Sequence, residues 1–117
     1  MIQDWDWRFI ARVLRVVDAD TFEIAVDLGF NVDCRVRVRV ANVDAPEMST
    51  PQGRAAQLWA LTLIGAQPYV VVHTQPARSG DFIRSFERYI ATVVLPDGSD
   101  YGERLVEAGH ATRRTAA

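Results

Sequence analysis

Apolar and β-branched residues dominate the chain from Trp7 to Val17, give way at Asp18-Ala19-Asp20, and resume from Thr21 to Leu28. Two β-rich runs around a tight acidic turn predict a hairpin. After Gly29 and the polar stretch Asn31-Val32-Asp33 the pattern becomes strictly periodic: Arg35, Arg37 and Arg39 alternate with Val36, Val38 and Val40. Successive side chains on a strand point to opposite faces, so this run is expected to bury its valines and turn its arginines outward. Pro46 has no amide hydrogen to give to a ladder and ends pairing soon after Asn42-Val43-Asp44.

Thr50 ahead of Pro51 has the form of an N-cap followed by proline in the first helical position, and Ala55 to Gly65 supplies helix formers with leucine and tryptophan. One helix is expected there. A strand over Tyr69 to His73, a polar connection from Gln75 to Ser85 and a strand over Arg88 to Leu95 follow, the last stopped by Pro96-Asp97-Gly98. Asp100 to Ala111 fits a short amphipathic helix with Gly109 at its C-terminal cap. Strands with one helix after the third and another after the fifth suit a mainly β, α+β architecture. The expected fold is a five-stranded Greek-key barrel of the oligonucleotide-binding (OB) type with two or three helices, rather than a parallel α/β sheet.

At 117 residues, 49% hydrophobic and 24% charged, the chain is read as a single domain over residues 1–117 with a modest core. Its lone cysteine, Cys34, excludes an intrachain disulfide and a thiolate zinc site. The opening Met1-Ile2-Gln3-Asp4-Trp5-Asp6-Trp7 is acidic and aromatic where a secretory signal is basic and then apolar. A cytoplasmic protein with no membrane partner is therefore expected. The net charge of −2 runs against the basic footprint usual for nucleic-acid binders. An enzyme acting on a single phosphate needs only a local cluster of guanidinium groups, so the arrangement decides more than the total.

Four carboxylates, Asp18, Asp20, Asp44 and Glu47, fall at strand ends and turns, where side chains can converge outside the core. Hard divalent cations take such oxygen ligands, but aspartate in turns also hydrogen-bonds its own backbone as a matter of course. Arg35, Arg37 and Arg39 form one guanidinium file matched to phosphate oxygens; a solvated face paired with Glu23, Asp27 or Asp33 fits the same pattern. Spacing alone leaves both pairs of readings open. His73, His110 and Trp59 read as packing or surface residues, while Trp5 and Phe82 could stack on bases. The chain lacks a Walker loop, a dinucleotide fingerprint and a nucleophile elbow.

Val17-Asp18-Ala19-Asp20-Thr21-Phe22, Arg39-Val40-Ala41-Asn42-Val43-Asp44-Ala45-Pro46-Glu47 and Arg88-Tyr89-Ile90-Ala91-Thr92-Val93 together resemble the signature segments of the staphylococcal nuclease (thermonuclease-like) family. Gly102 to Ala111 resembles the helix that follows the last barrel strand there, so the likeness extends over nearly the whole chain. It implies a Ca2+-dependent endonuclease, a phosphodiesterase acting on DNA or RNA and leaving a 3′-phosphate. One ion is implied, with Mg2+ or another divalent cation as substitute. The implied metal ligands are Asp20, Asp44 and the backbone carbonyl of Ala45, with Asp18 in or just outside the shell. Glu47 would be the general base, and Arg39 and Arg88 would grip the phosphate. Arg35, Arg37 and Phe86 would contact the rest of the substrate. Glu87 stands where the family usually has glycine, and Phe86 lacks the hydroxyl of the usual tyrosine. The competing expectation is a non-catalytic OB-type module that binds nucleic acid or protein. A third is a structural subunit using the arginine strand as an interface.

Overall fold

A computed structural model describes residues 7–74, 84–85 and 88–114. Its core is a closed barrel of five strands with two helices against it. Strand β1 (Arg8–Asp18) turns at Ala19–Asp20 into β2 (Thr21–Asp27), which pairs antiparallel with β3 (Asp33–Val40). A two-residue strand β4 (Val43–Asp44) precedes helix α1 (Pro51–Gly65), after which come β5 (Val70–Thr74), the short β6 (Arg84–Ser85) and β7 (Arg88–Val94). Helix α2 (Tyr101–Glu107) and the short β8 (Thr112–Arg113) complete the chain. The order around the sheet is β3-β2-β1-β5-β7. Parallel pairing of Val38 with Tyr89 and of Val40 with Ala91 closes the ring. That is the OB-type connectivity expected from the strand pattern.

The valines of β3 behave as alternation demands, with Val38 and Val40 at 2% and 1% exposure inside the barrel. Phe22, Ile24, Val72, Val93 and Leu95 fill the same interior. Helix α1 starts where Thr50 caps it, its hydroxyl accepting the Gly53 amide at 3.0 Å. Helix α2 is capped by Asp100, which accepts the Glu103 amide at 3.0 Å. At its other end Gly109 takes φ 80°, and the Gly109 and His110 amides close back on Val106 and Leu105. Trp59 packs on Tyr101 and His110, as its helical position suggested. No described helix is long and apolar enough to cross a membrane.

Two features escape simple periodicity. Strand β1 carries two bulges, with Leu14 and Val17 as the extra residues against β2. Strand β4 pairs with β8 through Val43–Arg113 and Asp44–Thr112, which anchors the segment after β3 to the C-terminal end of the described chain.

Candidate active site

The β1–β2 turn, the end of β3 and strand β4 meet at one end of the barrel. Their junction is fixed by backbone hydrogen bonds: the Val40 amide donates to the Asp20 carbonyl at 2.8 Å, and the Ala41 amide to Ala91 at 2.8 Å. Asn42 then adopts φ 68°, a left-handed conformation that asparagine tolerates, and turns the chain so that Asp44 faces Arg39. Asp20 and Thr21 are the buried polar residues of this corner, at 8% and 2% exposure.

Asp20 is held on both oxygens. The Thr21 hydroxyl donates to Oδ1 at 3.0 Å and the Ala45 amide donates to Oδ2 at 2.9 Å. The Arg39 guanidinium lies 3.6 Å from Asp20 Oδ2 and hydrogen-bonds Asp44 Oδ1 through the same nitrogen, Nη2. Arg114 approaches the other Asp44 oxygen at 3.6 Å. Asp18 accepts the Asp20 amide at 3.3 Å. Two sequence-distant acids, Asp20 and Asp44, therefore share one arginine, and every buried side-chain polar atom among the described residues has a partner.

The environment divides the acids. Burial, a hydrogen bond with Asp20 and the Asp20 charge push the Asp18 carboxyl up to about 6. Burial works against ionisation of Asp20 too. There it is outweighed by hydrogen bonds from Asp18, the Ala45 amide and Thr21 and by the Arg39 charge, which hold Asp20 below the usual carboxylate range. Asp18 therefore takes up its proton well before Asp20 as the pH falls.

Glu47 makes no side-chain hydrogen bond or ion pair with this cluster. It is exposed just beyond β4, and its backbone carbonyl accepts the Thr50 amide at 3.0 Å and the Thr50 hydroxyl at 2.7 Å. Gly53 fits beneath it. A Cβ on Gly53 would lie 1.8 Å from the Glu47 carbonyl oxygen, so only glycine allows α1 to start this close to the Glu47 backbone. Arg54 reinforces the same loop from the first turn of α1, reaching the Ser49 carbonyl at 3.4 Å.

Of the arginine file, Arg39 is not an outward, solvated residue: its side chain is only 12% exposed between the acids. Arg37 pairs with Glu23 at 2.9 Å, and Arg35 is exposed on the same strand face. Arg88 opens β7, the strand that pairs with β3, and its backbone pairs with Ser85; its side chain lies outside what is described. Phe86, Phe82 and Trp5 lie outside the described residues.

Periodicity overlooked Gly53 and Tyr101. Tyr101, fully buried, donates its hydroxyl to the Ala19 carbonyl at 2.6 Å and packs edge-on against Phe22 at 5.1 Å. The only sequence signal for either was position, one in the first turn of each helix.

As a cation site the donor set suits a hard metal in kind, since it offers carboxylate oxygens at a strand junction. The described side chains contain no cluster of three or more His, Cys, Asp or Glu arranged for a metal ion. The described set is Asp20 and Asp44, drawn together by Arg39, with Asp18 behind Asp20.

Comparison with curated proteins finds two similar chains, from Escherichia coli O157:H7 and Escherichia coli, each named "Uncharacterized endonuclease". Each is 33% identical over 102 residues, which covers 86% of this chain and 58% of the relative. The chain thus spans a little over half the length of the curated relatives it matches. No protein-family model matches it.

Proposed function

We propose that this chain is a nuclease of the staphylococcal nuclease type, hydrolysing phosphodiester bonds of DNA or RNA with a divalent cation, Ca2+ in the first place. The observation that carries the reading is the meeting of Asp20, Arg39 and Asp44 from three separate elements at one end of an OB-type barrel. The relatives' printed name supports it from outside the structure.

Asp20, Asp44 and the Ala45 carbonyl are the groups that would hold the cation, which when bound supplies positive charge beside the non-bridging oxygens of the phosphate. Arg39 holds a phosphate oxygen with a planar, permanently charged fork, and Arg88 is assigned the same task from the neighbouring strand. Glu47, exposed and mounted on a loop braced by Thr50 and Gly53, takes a proton from water. The water oxygen forms a bond to phosphorus as the bond to the 5′-oxygen breaks; the leaving oxygen departs with the electron pair and takes a proton from solvent water, while Glu47 returns its proton to solvent. The products carry a 3′-phosphate and a 5′-hydroxyl. Arg39 contributes most as negative charge accumulates on the phosphoryl oxygens, where one rigid donor is worth about 3 kcal/mol.

The test is cleavage of single-stranded DNA and RNA with calcium, with magnesium and with a chelator, beside Glu47→Gln and Arg39→Ala. Calcium-dependent cutting that collapses in both variants is expected. A folded wild type that cuts nothing with any divalent cation would leave a binding module in its place.

A further inference from the structure

The turn between β2 and β3 holds a phenylalanine where its backbone suits other residues. Leu28 and Val32 close the turn, the Leu28 amide donating to the Val32 carbonyl and the Val32 amide to the Gly29 carbonyl, both at 2.9 Å. All three residues between them are left-handed: Gly29 at φ 80°, Phe30 at φ 54° and Asn31 at φ 64°. Glycine and asparagine adopt that conformation readily, whereas a bulky side chain is strained in it. Phe30 is also 100% exposed, so no packing among the described residues offsets the strain. A side chain held against both its backbone preference and its aversion to water points to a contact outside the chain.

Beside the turn lies a cavity of about 330 Å3. Ile10, Val32, Pro68 and Tyr69 give it apolar walls, and Arg12, Asp27 and Asp33 give it charge. Phe30 stands next in sequence to the lining residues Asn31 and Val32, yet being fully exposed it does not fill the space. Asp27 and Asp33 face each other directly across β2 and β3, an arrangement that costs stability unless a cation approaches. Within the described residues none does: Asp27 accepts only the Gly29 amide at 2.8 Å, and neither Asp33 nor Arg12 has an ion pair. One patch therefore carries a knob, a socket and charges of both signs, all unmatched within the chain.

We infer that this patch is a two-fold interface with a second copy of the chain, each Phe30 entering the partner's cavity and each Arg12 pairing with the partner's Asp27 and Asp33. A closed two-fold contact requires a self-complementary surface, in which the inserting and the receiving groups belong to the same patch. Here they do. The two aspartates repel phosphate, so a nucleic acid does not fit this end of the barrel. Phe30 with the partly exposed Ile10, Val32 and Tyr69 offers roughly 450 Å2 per copy, and the charged rim brings that to about 600 Å2. That is the low end of specific interfaces, so the dimer is reversible. The inference goes beyond the nuclease reading and does not depend on it. The seven residues of β2, about 20 Å of strand, separate Asp27 from the Asp20 corner, which keeps the candidate active site of both copies clear of the interface.

Sedimentation velocity of the full chain from about 5 to about 500 μM tests the interface, with half-dimerisation expected at roughly 10–100 μM. Phe30→Gly should raise the dissociation constant at least about thirtyfold, as loss of a central aromatic anchor does. Its melting temperature at low concentration should hold or rise, since glycine accepts φ 54° without strain. Arg12→Glu in one preparation, and Asp27→Arg with Asp33→Arg in another, should each be monomeric because like charges then meet across the two-fold axis. An equimolar mixture of the two should dimerise, since every exchanged charge finds its opposite. A mixture that stays monomeric, or a Phe30→Gly variant that dimerises as the wild type does, would overturn the interface. A wild type monomeric throughout that range would also overturn it and leave the patch to a different protein.

Discussion

Tyr101 donates its hydroxyl to the carbonyl of Ala19, 82 positions earlier in the chain, at 2.6 Å. Ala19 lies between Asp18 and Asp20, so the first residue of α2 clamps the turn that presents both acids. The ring is fully buried and fixed by Phe22 and Trp59, which leaves the hydroxyl one direction to point.

Tyr101→Phe keeps that packing and strands the Ala19 carbonyl in the core. The expected cost is about 1–3 kcal/mol of stability, the penalty of one buried unpaired polar group. Urea unfolding checks it, and a change below about 0.5 kcal/mol would mean that the carbonyl finds another donor. Burial pushes the Tyr101 phenol well above the ordinary tyrosine range, followed by the charges of Asp20 and Asp18. Tyrosinate absorbance should therefore show Tyr101 silent until the protein unfolds in alkali.

Gly53→Ala would ordinarily stabilise a helix by about 0.5–1 kcal/mol. Here the sign should reverse, because the added methyl meets the Glu47 carbonyl at 1.8 Å and the loop must move. Loss of thermal stability together with at least about tenfold loss of cleavage is expected, since catalytic placement tolerates little displacement. A variant more stable than wild type with full activity would refute the role assigned to this contact.

Arg39→Ala removes the cation between Asp20 and Asp44. The metal-free variant should lose about 2 kcal/mol, less than a fully buried pair because Asp44 is 44% exposed. Calcium should raise its melting temperature by more than it raises that of the wild type, since the ion then neutralises acids that the arginine no longer covers. Equal thermal shifts in the two proteins would count against both acids as ligands.

The metal-free protein should grow more stable as pH falls from 7 to about 5. Asp18 has its folded value raised to about 6 from the ordinary 3.8. Its contribution is thus complete below about 4 and is lost as pH rises through about 6. Asp20 works in the opposite sense at the acid end: with a lowered folded value, it contributes stability above the ordinary range that is lost as pH falls further. Melting curves across this range, beside Asp18→Asn, test the point, and the variant should lack the gain between 7 and 5.

Local patterns carried most of the architecture. Alternation in β3, the acidic break after Val17 and the Thr50-Pro51 start of α1 each reflect forces acting within a few residues, and the barrel follows from their order. The acids and Arg39 were legible as candidates because strand ends expose them and because the segments around them resemble a known family.

What only the tertiary structure decided is where side chains go when a partner strand or helix sets the answer. Leu14 is a bulge because β2 offers no residue opposite it, and that one insertion moves Arg12 and Arg15 onto a common face. Arg39 reads as a surface residue from alternation, yet the β1–β2 turn and β4 fold over it with opposite charges. Gly53 and Tyr101 are ordinary helix residues until Glu47 and Ala19 arrive from elsewhere in the chain. Periodicity records which face of an element is apolar; it holds no information about which distant backbone will press against it, and at this site those long-range contacts orient the acids.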